Sequence, residues 1–377
     1  MAIHIENLQI EQFRGIQQLS VPRLNHINLI AGDNNCGKTS FLEALLLLQN
    51  PEQFTNTLQV ARMRDRFTMF GGATTYENLL ALFPRSANIE ETVRMISLRA
   101  CCNGENIAYS LQGKIRTIML DTEEQKTLFH SSMPSAYRGK GPVPTECQEF
   151  QGEMMVYMGK NQERKKVSFH EYSSVSGRGI ANNRFLNMIY LAPCDHLQGR
   201  IFNPILKNEA YKNLCVSILQ LFDSGITDLL LLKNERTNFP VECVKHKDLG
   251  IMSLATYGDG IKKVLSIASG IAQAVDGVLL IDEVETALHS RYYEDIFRFI
   301  ASACRKFNVQ VFITSHSIEA IDAFLSIAEY DTKTEDEDRI SVITLKKDLN
   351  LFRSYARVLT GRHVFENREQ FGFEVRL

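Results

Sequence analysis

The chain has 377 residues, with 42 basic and 44 acidic side chains and a formal net charge of −2. Hydrophobic residues make up 44% and charged residues 23%, a globular balance that excludes wholesale disorder and fibrous repeats. Near-neutrality also excludes coating of nucleic acid by bulk electrostatics, so any DNA contact has to be a local patch.

Residues 3–10 and 16–21 alternate apolar and polar around Phe13-Arg14-Gly15, which predicts two strands joined by a turn. Ile27-Asn28-Leu29-Ile30 reads as a short buried strand and 41–48 as a helix. Residues 51–90 mix helical stretches with breaks at Gly71-Gly72 and Pro84, and the alternation over 92–120 predicts further strands. The stretch 131–185 is rich in Gly, Ser, Pro and charge and reads as the least structured part. Within 160–184, Lys160, Arg164, Lys165, Lys166, Arg178 and Arg184 stand against Glu163 and Glu171, a local +4. That segment reads as a solvated loop or hairpin, with a nucleic-acid or partner patch as the alternative.

Helical spacing returns over 203–222, followed by strands at 226–232 and 239–244 and a Gly-rich turn at 258–260. A helix at 261–275, a buried strand at 277–281, a helix at 285–307 and a buried strand at 309–314 follow. The acidic run DTKTEDED at 331–338 reads as a surface loop. No apolar run approaches the ~20 residues that a bilayer helix needs. The first residues carry charge where a secretory signal would be apolar. Eight cysteines without Cys-x-x-Cys spacing read as reduced thiols of a cytoplasmic protein, not as disulfides or zinc ligands. Neither an internal repeat nor a sustained heptad run is present.

The chemistry concentrates in three places. Gly32-Asp33-Asn34-Asn35-Cys36-Gly37-Lys38-Thr39 matches G-x-x-x-x-G-K-[ST] between a strand and a helix that begins with Ser40. Its glycines let successive backbone N–H groups of Gly32, Asn34, Asn35 and Gly37 face phosphate oxygens, aided by the helix dipole. Lys38 is expected to reach the β- and γ-phosphates of ATP and Thr39 to ligate Mg²⁺. The apolar strand 278–281 ends in Asp282 and Glu283: Asp282 is the expected second metal ligand, and Glu283 the general base for water. Ile313-Thr314-Ser315-His316-Ser317 ends another buried strand, where His316 suits a γ-phosphate sensor. A span of 243 residues separates Thr39 from Asp282, more than a compact kinase or small GTPase needs. Between them, Gly258-Asp259-Gly260 opens a helix and forms a second anion-binding turn, useful where another subunit presents its nucleotide.

The ordered set FRG, GDNNCGKT, ATYGDGIKK, LLIDEVETALH and ITSHS resembles the ABC-type ATPase heads of the RecF/SMC superfamily, above all the OLD (overcoming lysogenization defect) ATPases. The resemblance implies an α/β P-loop head with a mixed sheet, an N-terminal antiparallel β part and an inserted α+β or helical lobe. Its parts would be 1–90 (β part and phosphate-loop half), 91–255 (insertion) and 256–377 (signature and Asp-Glu half). It further implies two heads sandwiching two ATP molecules. Lys38, Thr39, Asp282, Glu283 and His316 then form one half-site, and Gly258, Asp259 and Gly260 the opposing signature. Glu285 to His289 becomes the dimer-contacting segment, with Arg14 a basic group near the nucleotide.

Two departures stand out. Gly258 occupies the place where the signature usually offers a serine, and no glutamine coupling nucleotide to an inserted lobe is identifiable. Only 61 residues follow His316, and Asp336-x-Asp338 lacks the context of a Toprim metal pair and reads as a solvated loop, so a nuclease domain like that of OLD proteins is not expected. Three functions remain open: a homodimeric or higher-order ATPase that controls an effector in trans, such as a nuclease of a phage-defence system; a RecF-like repair factor binding DNA through 160–184; and a scaffold held together by ATP. No membrane partner is expected.

Overall fold

In the computed structural model, β1 (Ile5–Phe13) and β2 (Ile16–Val21) form a hairpin whose tight turn puts Arg14 at φ 50°. The structure describes residues 3–65, 72–84, 93–119, 146–173, 184–198, 201–234, 238–327, 339–348 and 353–371. β3 (Ile27–Ala31) is buried along its whole length and feeds α1 (Lys38–Leu46). α2 (Phe54–Ala61), a 3₁₀ turn at Arg62–Asp65 and α3 (Thr75–Leu80) follow, the last capped reciprocally by Thr74 and Glu77. A meander of β4 (Arg94–Cys102), β5 (Glu105–Met119), β6 (Glu146–Met158) and β7 (Asn161–His170) extends the first hairpin.

The chain then gives β8 (Met188–Leu191), α4 (Phe202–Leu206), α5 (Glu209–Leu219), β9 (Ile226–Lys233), β10 (Pro240–His246) and β11 (Gly250–Ser253). It continues with α6 (Asp259–Gln273), β12 (Val278–Ile281), α7 (Tyr293–Lys306), β13 (Gln310–Thr314) and α8 (Ile318–Ser326). β14 (Ile340–Asp348), β15 (Arg353–Thr360) and α9 (Gly361–Phe371) complete the described elements.

Three sheets result. One is antiparallel, in the order β2-β1-β4-β5-β6-β7; a small one runs β11-β10-β9; the central one runs β15-β14-β3-β13-β12-β8. In the central sheet β14, β3, β13, β12 and β8 are mutually parallel and only β15 is antiparallel. Strands buried on both faces are expected in such a layer, and alternate side chains of β12 show why. Val278 and Leu280 enter the core shared with the antiparallel sheet and α1, whereas Leu279 and Ile281 enter the core under α5, α6, α7 and α8. The parallel strands all end at one edge, where open α/β sheets place ligands.

Four expectations change. Residues 146–173, within the stretch read as least structured, form most of the hairpin β6–β7, because apolar Met154, Val156, Val167 and Phe169 alternate inward among the charges. The helix expected over 285–307 starts only at Tyr293; Ala287 at φ 66° turns the preceding chain out of helical geometry. The helical stretch at 203–222 is two helices, broken where Asn208 caps α5 through Tyr211 N. Finally, 91–255 does not stand as one inserted lobe: it contributes β4–β7, β8 and β9–β11 to all three sheets. The acidic run 331–338, Arg178 and the Asp336–Asp338 pair lie outside the described residues.

Candidate nucleotide site

The loop after β3 is shaped by backbone that most residues resist. Gly32 has φ 141°, Asn35 φ 64° and Gly37 φ 107°. A Cβ on Gly32 would lie 2.4 Å from Leu345 O and 2.8 Å from Cys36 Sγ, so only glycine fits between loop and sheet. Gly37 offers α1 no side-chain cap, which leaves the first N–H groups of the helix free to meet an anion. Lys38 is 5% exposed, and its Nζ donates to Gly32 O at 2.7 Å and Asp33 O at 2.9 Å. Burial pulls its pKa below the ordinary lysine value, while nearby Asp282 and Glu285 oppose that shift.

The second half of the site sits at the ends of β12 and β13. Asp282 is 3% exposed, and its Oδ1 accepts from Thr314 Oγ1 at 2.6 Å. Thr314 Oγ1 in turn accepts from Glu283 N at 2.8 Å. Tyr190 OH donates to Asp282 Oδ2 at 3.0 Å from the neighbouring strand β8. Burial, reinforced by Asp282 and Glu43, pushes the Tyr190 phenol well above its ordinary range, so it stays a donor. Glu283 adopts φ 47°, a conformation of order 1–3 kcal/mol above the usual ones for a non-glycine residue. The resulting turn sets its Oε1 3.6 Å from His316 Nε2.

These halves meet across a cavity of about 610 Å³. Asn34, Asn35, Gly37, Lys38, Thr39, Ser40, Asp282, Glu283 and His316 all line it. Gly32 shapes the loop from beneath and is not among the lining residues. The sequence missed Glu43, Met63, Arg64, Tyr190, Ala192 and Pro193, which complete the wall. Tyr190 comes beside Asp282 only through the parallel pairing of β8 with β12, and Arg64 lies in a stretch without distinctive pattern.

The structure corrects the place of Arg14. Its side chain is 8% exposed and Nε lies 2.8 Å from Glu43 Oε2, so it neutralises the carboxylate of α1 instead of lining the cavity. Arg64 is half-exposed at the wall and grips the same carboxylate, Nε to Oε1 at 2.8 Å and NH2 to Oε2 at 2.7 Å. It also donates to Ser40 Oγ at 3.0 Å. Gly258, Asp259 and Gly260 are likewise not among the lining residues. Gly258 caps α6 without a side chain, and a Cβ there would meet nothing within 4 Å. Asp259 pairs with Lys262 at 3.3 Å. The signature turn therefore takes no part in the wall of its own chain's cavity.

The residues present fit a magnesium nucleotide. A hydroxyl (Thr39) and a carboxylate (Asp282) are hard oxygen donors, and Gly32 and Gly37 shape the cradle for phosphate oxygens. Among the described residues no three His, Cys, Asp or Glu side chains group as a metal site.

Comparison with known proteins agrees with this geometry. Residues 3–174 match the family model "AAA ATPase domain", and 177–322 match "AAA domain, putative AbiEii toxin, Type IV TA system". An "ATP/GTP phosphatase" of Helicobacter pylori is 24% identical over 342 residues, covering 84% of this chain and 86% of that protein. The DNA replication and repair protein RecF of Pseudoalteromonas translucida is 24% identical over 128 residues, 33% of this chain and 34% of its own length. A solved SMC head bound to the C-winged helix domain of ScpA superposes with TM-score 0.50 at 12% identity, over 97% of this chain and 100% of that one. The fold is that of an SMC-type, ABC-like P-loop ATPase head, and the family model over 3–174 is that of an ATPase domain. Among the described residues no helix is long and apolar enough to cross a membrane.

Proposed function

We propose that the chain hydrolyses ATP in paired heads and that the paired state controls a separate protein effector. The observation that carries this reading is the divided signature. One chain holds a cavity with Lys38, Thr39, Asp282, Glu283 and His316, while Gly258–Gly260 is not in its wall and has open space around Gly258. A second copy supplies the natural geometry, each signature closing its partner's cavity.

Thr39 and Asp282 would hold Mg²⁺, which would supply neutralisation of phosphate charge. Lys38 neutralises phosphate charge once its Nζ leaves the Gly32 and Asp33 carbonyls. Tyr190 and Thr314 hold the Asp282 carboxylate through both oxygens. Glu283 accepts the proton of the attacking water, and His316 across from it faces the transferred phosphoryl group.

Control of an effector in trans, in antiviral defence, is supported by the family description at 177–322, which names a toxin–antitoxin system. It is also supported by the SMC head, whose title names a bound partner protein. The test is light scattering of Glu283→Gln with and without Mg-ATP, followed by co-purification with neighbouring-gene products. An ATP-dependent dimer that captures a nuclease or other effector is the expected result; a monomer under every condition overturns the reading.

A RecF-like DNA role is the second reading, favoured by the RecF match and the basic strand β7. Within β7, however, Arg164 is ion-paired to Glu153, and Lys165 lies 2.7 Å from Glu163. On the effector reading, the unaltered protein and a variant with Arg164, Lys165 and Lys166 reversed to Glu both hydrolyse ATP at rates independent of DNA, and stimulation that survives the reversal counts against the repair role. Loss of a DNA-stimulated rate in that variant would favour the repair role. An ATP-held scaffold predicts instead that Glu283→Gln and the unaltered protein assemble identically.

A further inference from the structure

The ends of β12 and β13 are fastened together step by step. Glu283 N donates to Thr314 Oγ1 at 2.8 Å and Val284 N to Thr314 O at 3.1 Å. The next fastening comes from a side chain. Glu285 Oε1 accepts from His316 N at 2.6 Å and from Ser317 N at 3.2 Å. Ser317 N is shared with Ser315 Oγ at 3.0 Å, whereas the shorter bond falls on the backbone of His316 itself. Glu285 thus grips the peptide that carries the histidine, and the imidazole emerges 3.6 Å from Glu283 Oε1.

The other oxygen of the same carboxylate gives a second, independent indication. Glu285 Oε2 is buried without a hydrogen-bond partner. Leaving a buried carboxylate oxygen unpaired costs free energy, and a residue chosen for stability alone would avoid it. A carboxylate is nonetheless well placed electrostatically, since it lies at the N-terminus of α8, whose cap is Ser317. We propose that Glu285 is a positioning residue of the nucleotide site, holding the 316–317 backbone so that His316 is aimed beside Glu283. The inference rests on the ATPase reading above and deepens it. Glu285 begins the stretch 285–289 that resembles a dimer-contacting segment, so movement of that stretch on pairing would reach His316 through one side chain.

The test uses the full chain with Glu285→Ala, Glu285→Asp, Glu285→Gln, His316→Ala and the Glu285→Ala/His316→Ala double variant. Steady-state hydrolysis, ATP affinity and melting temperature are measured for each. Glu285→Ala should lower kcat about tenfold, with KM within about threefold, since the lost bonds act on the histidine and not on nucleotide binding. Glu285→Asp keeps the charge but falls short of both amides, and should behave like Ala. Glu285→Gln keeps an acceptor oxygen and should recover most of kcat.

In the His316→Ala background, removing Glu285 should cost nothing further, because residues acting as a unit are not additive. Independent multiplication of the two losses, or a change confined to melting temperature, overturns the proposal. If Glu285→Ala does not fold, the Asp and Gln variants carry the comparison. If the unaltered protein hydrolyses no ATP, the functional reading falls by itself. The inference is then decided by the His316 imidazole NMR resonance: it should shift in Glu285→Asp and stay in place in Glu319→Gln, which removes a charge from the same helix end. An unmoved resonance in Glu285→Asp would sink it.

Discussion

The two glycine turns of this head, 32–37 and 258–260, have similar sequence character and opposite surroundings. At Gly32 the backbone lies at φ 141° and a Cβ would strike Leu345 O at 2.4 Å. At Gly258 φ is −66°, any residue could adopt the backbone, and a Cβ would touch nothing within 4 Å. The first glycine is required by the fold of its own chain. The second is required by nothing in its own chain. Packing therefore fixes the first turn and makes no steric demand at Gly258 in the second.

The sharpest way to break this contrast is to disable the cavity built on the first turn chemically without disturbing its packing. Glu283→Gln keeps the shape and the Glu283 N bond to Thr314 Oγ1 but removes the base. Turnover should fall by about 100-fold or more, the worth of general-base catalysis, with ATP affinity retained. Single-turnover hydrolysis alongside equilibrium ATP binding measures both. A parallel loss of binding would show that Glu283 holds the nucleotide instead.

Gly32→Ala attacks the same cavity through its backbone. Strain at φ 141° and the contact with Leu345 O should destabilise the chain by about 1–3 kcal/mol. ATP affinity should drop about tenfold, because the loop must open to admit the methyl group. Thermal unfolding and nucleotide titration check the two effects together. Thr314→Val tests the joint between the strands: it removes a donor to Asp282 and an acceptor for Glu283 N. Leaving those buried groups unpaired should cost about 1–3 kcal/mol of stability. Turnover should fall several-fold, less than for Glu283→Gln, because Tyr190 still holds the other Asp282 oxygen.

The same contrast explains what could be read from sequence. The phosphate loop, Asp282-Glu283 and His316 are legible because their chemistry needs fixed residue types at fixed positions on strand ends. The structure brings them to one cavity. Tyr190 and Arg64 are not legible: each reaches the cavity from a distant segment, and only the parallel pairing of β8 with β12 sets Tyr190 beside Asp282. Arg14 misleads for a related reason. Its place in the turn before β2 brings it near α1, but Glu43 takes its charge before a nucleotide could. For 146–170, composition suggested irregular chain, while alternation of Met154, Val156, Val167 and Phe169 decided in favour of strands. Charge density marks solvent exposure on one face of a strand, and it says little about whether the other face is buried.

The smallest expected effect is the most telling about the second turn. Gly258→Ser places a hydroxyl where space is free, at the N-cap of α6, a position that serine favours. Serine replacing glycine there should change stability by no more than a few tenths of a kcal/mol. If Gly258 faces a partner's nucleotide, the new hydroxyl adds one hydrogen bond to a phosphate oxygen. A bond worth about 0.5–1.5 kcal/mol should raise turnover, or tighten ATP-dependent pairing, by roughly two- to tenfold. The same change in a turn that meets only solvent would alter neither. Measuring turnover against protein concentration separates the cases, since a gain delivered across an interface grows as the heads pair, whereas a gain within one chain is independent of concentration.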